Sequence, residues 1–138
     1  MWTYEHSIET TAAPEAIWGL WADVRNWGVW NADIVSIQIS GPFEAGAEIV
    51  MTPDGQDPVH LLVAEATVNE LFVDEARFDG LLLRTIHRLG QGERGHIRVT
   101  YRMEITGTGA DQLGPQIGPA ITADWPETMA ALVKLAQG

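Results

Sequence analysis

Cysteine is absent from the 138 residues. That removes disulfides, thiolate nucleophiles and cysteine-ligated zinc or iron–sulfur centres. The absence fits a reducing compartment, and a cytoplasmic location is the expectation. Basic residues are also scarce: 8 Lys and Arg stand against 19 Asp and Glu, a net charge of −11. A surface this acidic repels phosphate backbones and anionic membranes, so nucleic acid is not an expected partner. No apolar run approaches the roughly 20 residues that span a bilayer, which argues against membrane insertion. The opening Met1-Trp2-Thr3-Tyr4-Glu5 lacks the basic start and apolar stretch of a secretion signal. There is no phosphate-cradling glycine loop, nucleotide fingerprint or nucleophile elbow. No two histidines have the spacing of a metal pair, so neither metal nor cofactor is expected.

Tryptophan is abundant instead. Six are present, and Trp2, Trp18, Trp21, Trp27 and Trp30 crowd the first thirty positions. Such a cluster builds either a core corner or the wall of a binding site. Trp2, Tyr4, His6 and Ile8 alternate with polar residues, which predicts a half-buried strand. Pro14-Glu15 then opens a short helix with an apolar face of Ile17, Leu20, Trp21 and Val24. Strands are expected at 34–39, 47–51, 59–66, 71–78, 81–89 and, most clearly, 97–105. There Ile97, Val99, Tyr101, Met103 and Ile105 share one face. Asp79-Gly80 is a hairpin signal. Beyond Gly109, Leu113, Ile117, Ile121, Trp125, Thr128, Leu132 and Leu135 recur at helical spacing, with a kink or bulge expected at Pro126. The fold class is therefore α+β in a single domain, 1–138. A curved antiparallel sheet of about seven strands wraps a long C-terminal helix, with one or two short helices after the first strand.

Pro14-Glu15, Ile17-Trp18, Asp23-Val24, Trp27-x-x-Trp30 and Gly41-Pro42-Phe43-x-x-Gly46 form a pattern that resembles the START-like, helix-grip superfamily (SRPBCC). Within it, the polyketide cyclase/dehydrase-like branch is the most similar. His87-Arg88-Leu89 and the Pro126 to Met129 stretch add to the likeness. The resemblance implies a cavity between sheet and long helix, closed at one end by the short helices. It implies ligands such as lipids, sterols or polyketides, catalysis of cyclisation or dehydration in some members, and co-chaperone roles in others. No family-wide catalytic signature carries over.

On that frame the expected ligand-binding residues are Trp27, Trp30, Leu83, His87, Tyr101, Ile121, Trp125 and Met129. Apolar walls would supply affinity and a few polar groups orientation. His87 shares a strand face with Leu83, Thr85 and Leu89. It either meets a ligand as a general base or is satisfied by a neighbouring hydroxyl or carbonyl. Tyr101 lies mid-strand on the apolar face and needs a partner for its hydroxyl. His87 and Tyr101 are the catalytic candidates. One of Asp74 and Glu75 must point inward, while the other can pair with Arg77 or Arg84. The leading function is binding of a small hydrophobic or aromatic ligand. The alternatives are a cyclase or dehydratase acting on a polyketide-like substrate, and a co-chaperone or protein-interaction module. The chain is expected to be a monomer or homodimer.

Overall fold

The computed structural model describes all residues, 1–138. Seven strands run β1 (Trp2–Thr10), β2 (Ile34–Ile39), β3 (Glu48–Pro53), β4 (Val59–Thr67), β5 (Leu71–Phe78), β6 (Leu81–Gln91) and β7 (Ile97–Gly107). Helix α1 (Pro14–Ala22) and a 3-10 segment (Val24–Val29) follow β1, and α2 (Ala110–Thr122) and α3 (Trp125–Ala136) follow β7. The sheet is antiparallel, in the order β1-β7-β6-β5-β4-β3-β2. It is a meander from β2 to β7, with β1 added beside β7. The tightest connection, Asp79-Gly80, has positive φ at both residues, as a two-residue hairpin turn with right-handed twist requires.

Register sorts the side chains into two faces. Phe72, His87, Tyr101 and His6 occupy successive strands in one inward row, and Val63, Asp74, Thr85, Met103 and Tyr4 occupy the next. The convex face carries the charges. Arg84 pairs with Glu65 and Glu75, Arg102 with Glu104 and Glu5, and Arg98 with Glu9. Glu75 therefore takes the cross-strand partner, and Asp74 is the inward carboxyl.

The C-terminal helical segment breaks at Ala123–Asp124, just before the expected position. Pro126 falls in the first turn of α3, where its missing N–H costs nothing. Pro115 and Pro119 lie inside α2 but on its exposed side, so the carbonyls they leave unbonded can be hydrated. The buried stripe of α2 is Ala110, Gly114, Gly118 and Thr122, flanked by Leu113 and Ile117. The reason lies in β1. The Trp2 side chain lies along α2 so closely that a Cβ on Gly114 or Gly118 would overlap it. The apolar period that points to Ile121 is thus overruled by a bulky ring demanding glycine.

Gly118→Ala should destabilise the protein by about 1–3 kcal/mol in urea denaturation, because the added methyl overpacks against Trp2. In a Trp2→Ala background the same change should stabilise by up to about 1 kcal/mol, the ordinary helical preference for alanine. Equal effects in both backgrounds would refute the contact.

Candidate functional site

The interior expected to be hollow is largely filled at the end covered by α1. His87 stacks on Phe72 with ring centroids 3.8 Å apart, and Tyr101 meets His87 edge-on at 4.6 Å. Trp21 of α1 packs against Phe72, His87 and Tyr101, and Trp125 of α3 lies edge-on to Tyr101 at 5.7 Å. Trp27, Trp30, Trp125 and Met129 are all buried in the same core. Trp27 donates its indole N–H to the Trp21 carbonyl at 2.9 Å, which ties the 3-10 segment to α1. Of the eight residues expected to line a cavity, His87, Tyr101, Trp125 and Met129 come together as packed core around the helix. Trp27 joins them through Phe72 and Trp30 through Trp27. Leu83 faces inward and is half-buried. Ile121 stands apart: it is 40% exposed, one position round the helix from buried Thr122. It does not line the interior.

Space remains beside the polar members of this core. Tyr101 accepts a hydrogen bond from the Trp21 indole at 3.1 Å. His87 Nδ1 lies 3.2 Å from the Phe72 carbonyl oxygen. A carbonyl can only accept, so Nδ1 carries the proton and neutral His87 presents Nε2 as an acceptor. That nitrogen lies 3.9 Å from an Asp74 carboxylate oxygen, just beyond direct hydrogen-bonding reach. The Asp74 carboxylate has no hydrogen-bond partner, yet every fully enclosed side-chain polar atom has one. Its oxygens therefore remain reachable by a water-sized sphere, and about a tenth of the Asp74 and His87 side-chain surfaces stays accessible. Ala76, Leu83 and Thr85, next to Asp74 on the same concave face, are likewise only half-buried. Ala76, Leu83 and Thr85 thus form a half-buried patch inside the curve of the sheet, with the nearly buried Asp74 and His87 beside them.

The electrostatics of the patch are unusual. Burial, reinforced by the neighbouring Glu75 charge, raises the Asp74 carboxyl to about 7. Burial lowers His87 to about 3, against the pull of the Phe72 carbonyl. Burial also pushes the Tyr101 hydroxyl well above its ordinary range. At neutral pH the pair is a neutral imidazole facing a carboxyl close to half-protonated, which is a proton donor and acceptor side by side. The sequence marked His87 and Tyr101 as candidates and left the orientation of Asp74 open. The register decides it: along β5 Asp74 alternates onto the same face as Phe72, opposite inward-facing Thr85 of β6.

A second crevice, of about 220 Å³, lies on the surface between Leu20, Asp23, Asn26, Val29, Trp30 and Leu135. A third, of about 250 Å³, lies on the convex face among Glu5, Ile86, Arg88, Thr100, Arg102 and Glu104. Neither touches Asp74 or His87.

The two buried groups drive stability in opposite directions with pH. Folded Asp74 keeps its proton up to about 7, so its contribution favours folding in acid and is lost as pH rises from its unfolded value near 4 to 7. Folded His87 refuses a proton that the unfolded chain accepts below about 6.5, so stability is lost as pH falls through that range toward 3. The slopes offset each other between about pH 4 and 6.5. Relative to the wild type, Asp74→Asn should therefore gain stability with rising pH, and His87→Gln should lose it, each by about 1 kcal/mol per pH unit. Urea denaturation at several pH values in this window checks this, and parallel profiles for the two variants would refute it.

No family model matches the sequence, and no curated protein matches it either. Solved structures match over almost the whole chain. Norcoclaurine synthase from Thalictrum flavum, in complex with dopamine and hydroxybenzaldehyde, is 12% identical with a TM-score of 0.77, covering 99% of this chain and 86% of that one. The di-domain ARO/CYC StfQ of the steffimycin biosynthetic pathway is 10% identical with a TM-score of 0.78, covering 98% of this chain and 50% of the di-domain protein. The Aha1 dimer from Colwellia psychrerythraea is 16% identical with a TM-score of 0.72, covering 96% and 94%. The seven-stranded curved sheet, the short helix after its first strand and the C-terminal helical segment give this chain the helix-grip fold that these structures share.

Proposed function

We propose that this protein binds a small, mainly apolar molecule of aromatic size on the concave face, over Asp74, Ala76, Leu83 and Thr85, with His87 behind them. The observation that carries this reading is the Asp74 carboxyl. It faces inward and is nearly buried, has no hydrogen-bond partner, and still has oxygens open to a small probe. Burying a polar group without a partner is costly, and a ligand carrying one complementary polar group would relieve that cost. The apolar surface of Leu83 and Ala76 supplies the rest. The fold likeness supports the choice of guest, since one neighbour holds dopamine and hydroxybenzaldehyde and another is an ARO/CYC protein. This reading puts the guest on the half-buried patch instead of deep between sheet and long helix, where the resemblance implies a cavity.

Calorimetric titration with 2-naphthylmethanol tests it. Saturable binding is expected, and Ala76→Phe should weaken it by about tenfold or more by occupying the patch. Binding that survives Ala76→Phe but disappears with Leu135→Asp would place the ligand in the surface crevice instead and end this reading.

A second reading rests on the Asp74–His87 pair. A carboxyl near 7 facing an imidazole acceptor at 3.9 Å suits proton removal next to a carbonyl, the elementary step of cyclisation and dehydration. Deuterium uptake at the methylene beside the carbonyl of 2-tetralone, followed by NMR at pH 7.5, should exceed the buffer rate. Both Asp74→Asn and His87→Ala should return it to that rate. Exchange unchanged in either variant would leave the pair without an acid–base role.

A further inference from the structure

Everything around Asp74 is neutral or apolar on the side a guest would approach. From β4 and β6 it faces Val63 and Thr85, with His87 one row away and held neutral by burial, against the pull of the Phe72 carbonyl. Beyond Thr85 come Met103 and Tyr4, and beyond His87 come Tyr101 and His6. From the helices, Trp21 packs on His87 and Trp125 on Tyr101, both uncharged. Arg84, Arg98 and Arg102 are on the convex face, each committed to glutamates. Arg88 is on that face too, and the sole lysine, Lys134, is exposed on α3. Arg77 is exposed on the convex side of β5, and Arg25 and Arg94 are exposed outside the strands, so the site has a carboxylate and no cation of its own, in a chain of net charge −11.

That arrangement selects by charge. A negatively charged guest would meet Asp74 and the field of an acidic protein. A neutral guest would gain one hydrogen bond. A protonated amine would gain a charge-assisted hydrogen bond to the carboxylate. We propose that the concave patch takes a small aromatic molecule bearing a protonated amine, with Asp74 as its counter-ion and Ala76 and Leu83 as its apolar surround. This rests on the concave-face binding proposed above and specifies the class of guest.

Three matched probes test it: 2-naphthylmethylamine, 2-naphthylmethanol and 2-naphthoate, titrated calorimetrically into the whole chain. At pH 8, where Asp74 is ionised, the amine should bind at least about tenfold more tightly than the alcohol, and the carboxylate most weakly. At pH 5.5, where Asp74 holds its proton, the amine should lose most of that advantage. His6 also faces inward on β1, so the pH comparison is repeated in His6→Gln, where the loss should persist. Asp74→Asn keeps the shape of the side chain. It should abolish the amine preference at pH 8 while leaving alcohol binding within about threefold. That retained binding also shows that the variant is folded. An alcohol that binds as well as the amine, or an amine preference that survives Asp74→Asn, overturns the assignment while leaving the patch as a binding site. Failure of all three probes to bind overturns both.

Discussion

The contact between Trp2 and the glycine pair of α2 sets the geometry on which the rest depends. An indole lying on Gly114 and Gly118 brings α2 down onto β1 and β7, closer than any side chain at those positions would allow. The helix is thereby held over one margin of the sheet. α3 continues onto β1 and α1, where Trp125 and Met129 fill the core. The concave surface around Leu83 and Thr85 keeps its partial exposure because the bulk of the helix is committed elsewhere.

Within that frame the inner face is graded. Toward α1 it is a continuous aromatic stack in which three ring N–H groups are answered: the Trp21 indole by Tyr101, the Trp27 indole by a carbonyl, and His87 Nδ1 by Phe72. One row along, the answering stops at Asp74. The contrast with the convex face is instructive. There, glutamates and arginines of neighbouring strands neutralise one another in water, where such pairs contribute little to stability. The same chemistry turned inward, with the cation left out, gives a carboxyl whose charge state is set by its surroundings and by whatever comes to rest beside it. A polar atom left without a partner in an otherwise well-satisfied interior is a familiar sign of a site.

Much of this was legible beforehand, for physical reasons. Period-two alternation and turn residues placed every strand, because half-buried strands bury every second side chain and Asp79-Gly80 accepts left-handed backbone. The break in the C-terminal helix was expected at Pro126 and falls just before it, because proline is tolerated in the first turn of a new helix and so starts α3 rather than kinking it. What could not be read was which face of α2 turns inward. The apolar repeat through Leu113, Ile117 and Ile121 competes with a stripe of small residues, and only the position of Trp2 decides between them. The filling of the interior was equally hidden. Whether aromatic rings line a space or occupy it depends on distances between elements, not on their order. Asp74 was one of an adjacent acidic pair, and its place two residues along β5 from Phe72, which packs under Trp21 and His87, settles which of the two faces in.

The topology also has a consequence for the newborn chain. Six strands follow one another and can pair with the neighbour just made, but β1 must wait for β7, so Thr10 leaves the ribosome long before Ile97. At ordinary synthesis rates that interval is roughly 4–17 s. During it Trp2, Tyr4 and Ile8 have no sheet to join and no α2 to rest on. Thr3, Glu5, Ser7 and Glu9, spaced between them, put polar or charged groups on every other position of the waiting segment, which discourages its pairing with other nascent chains. The acidic residues that balance the convex arginines in the finished molecule thus act first as guards against premature association.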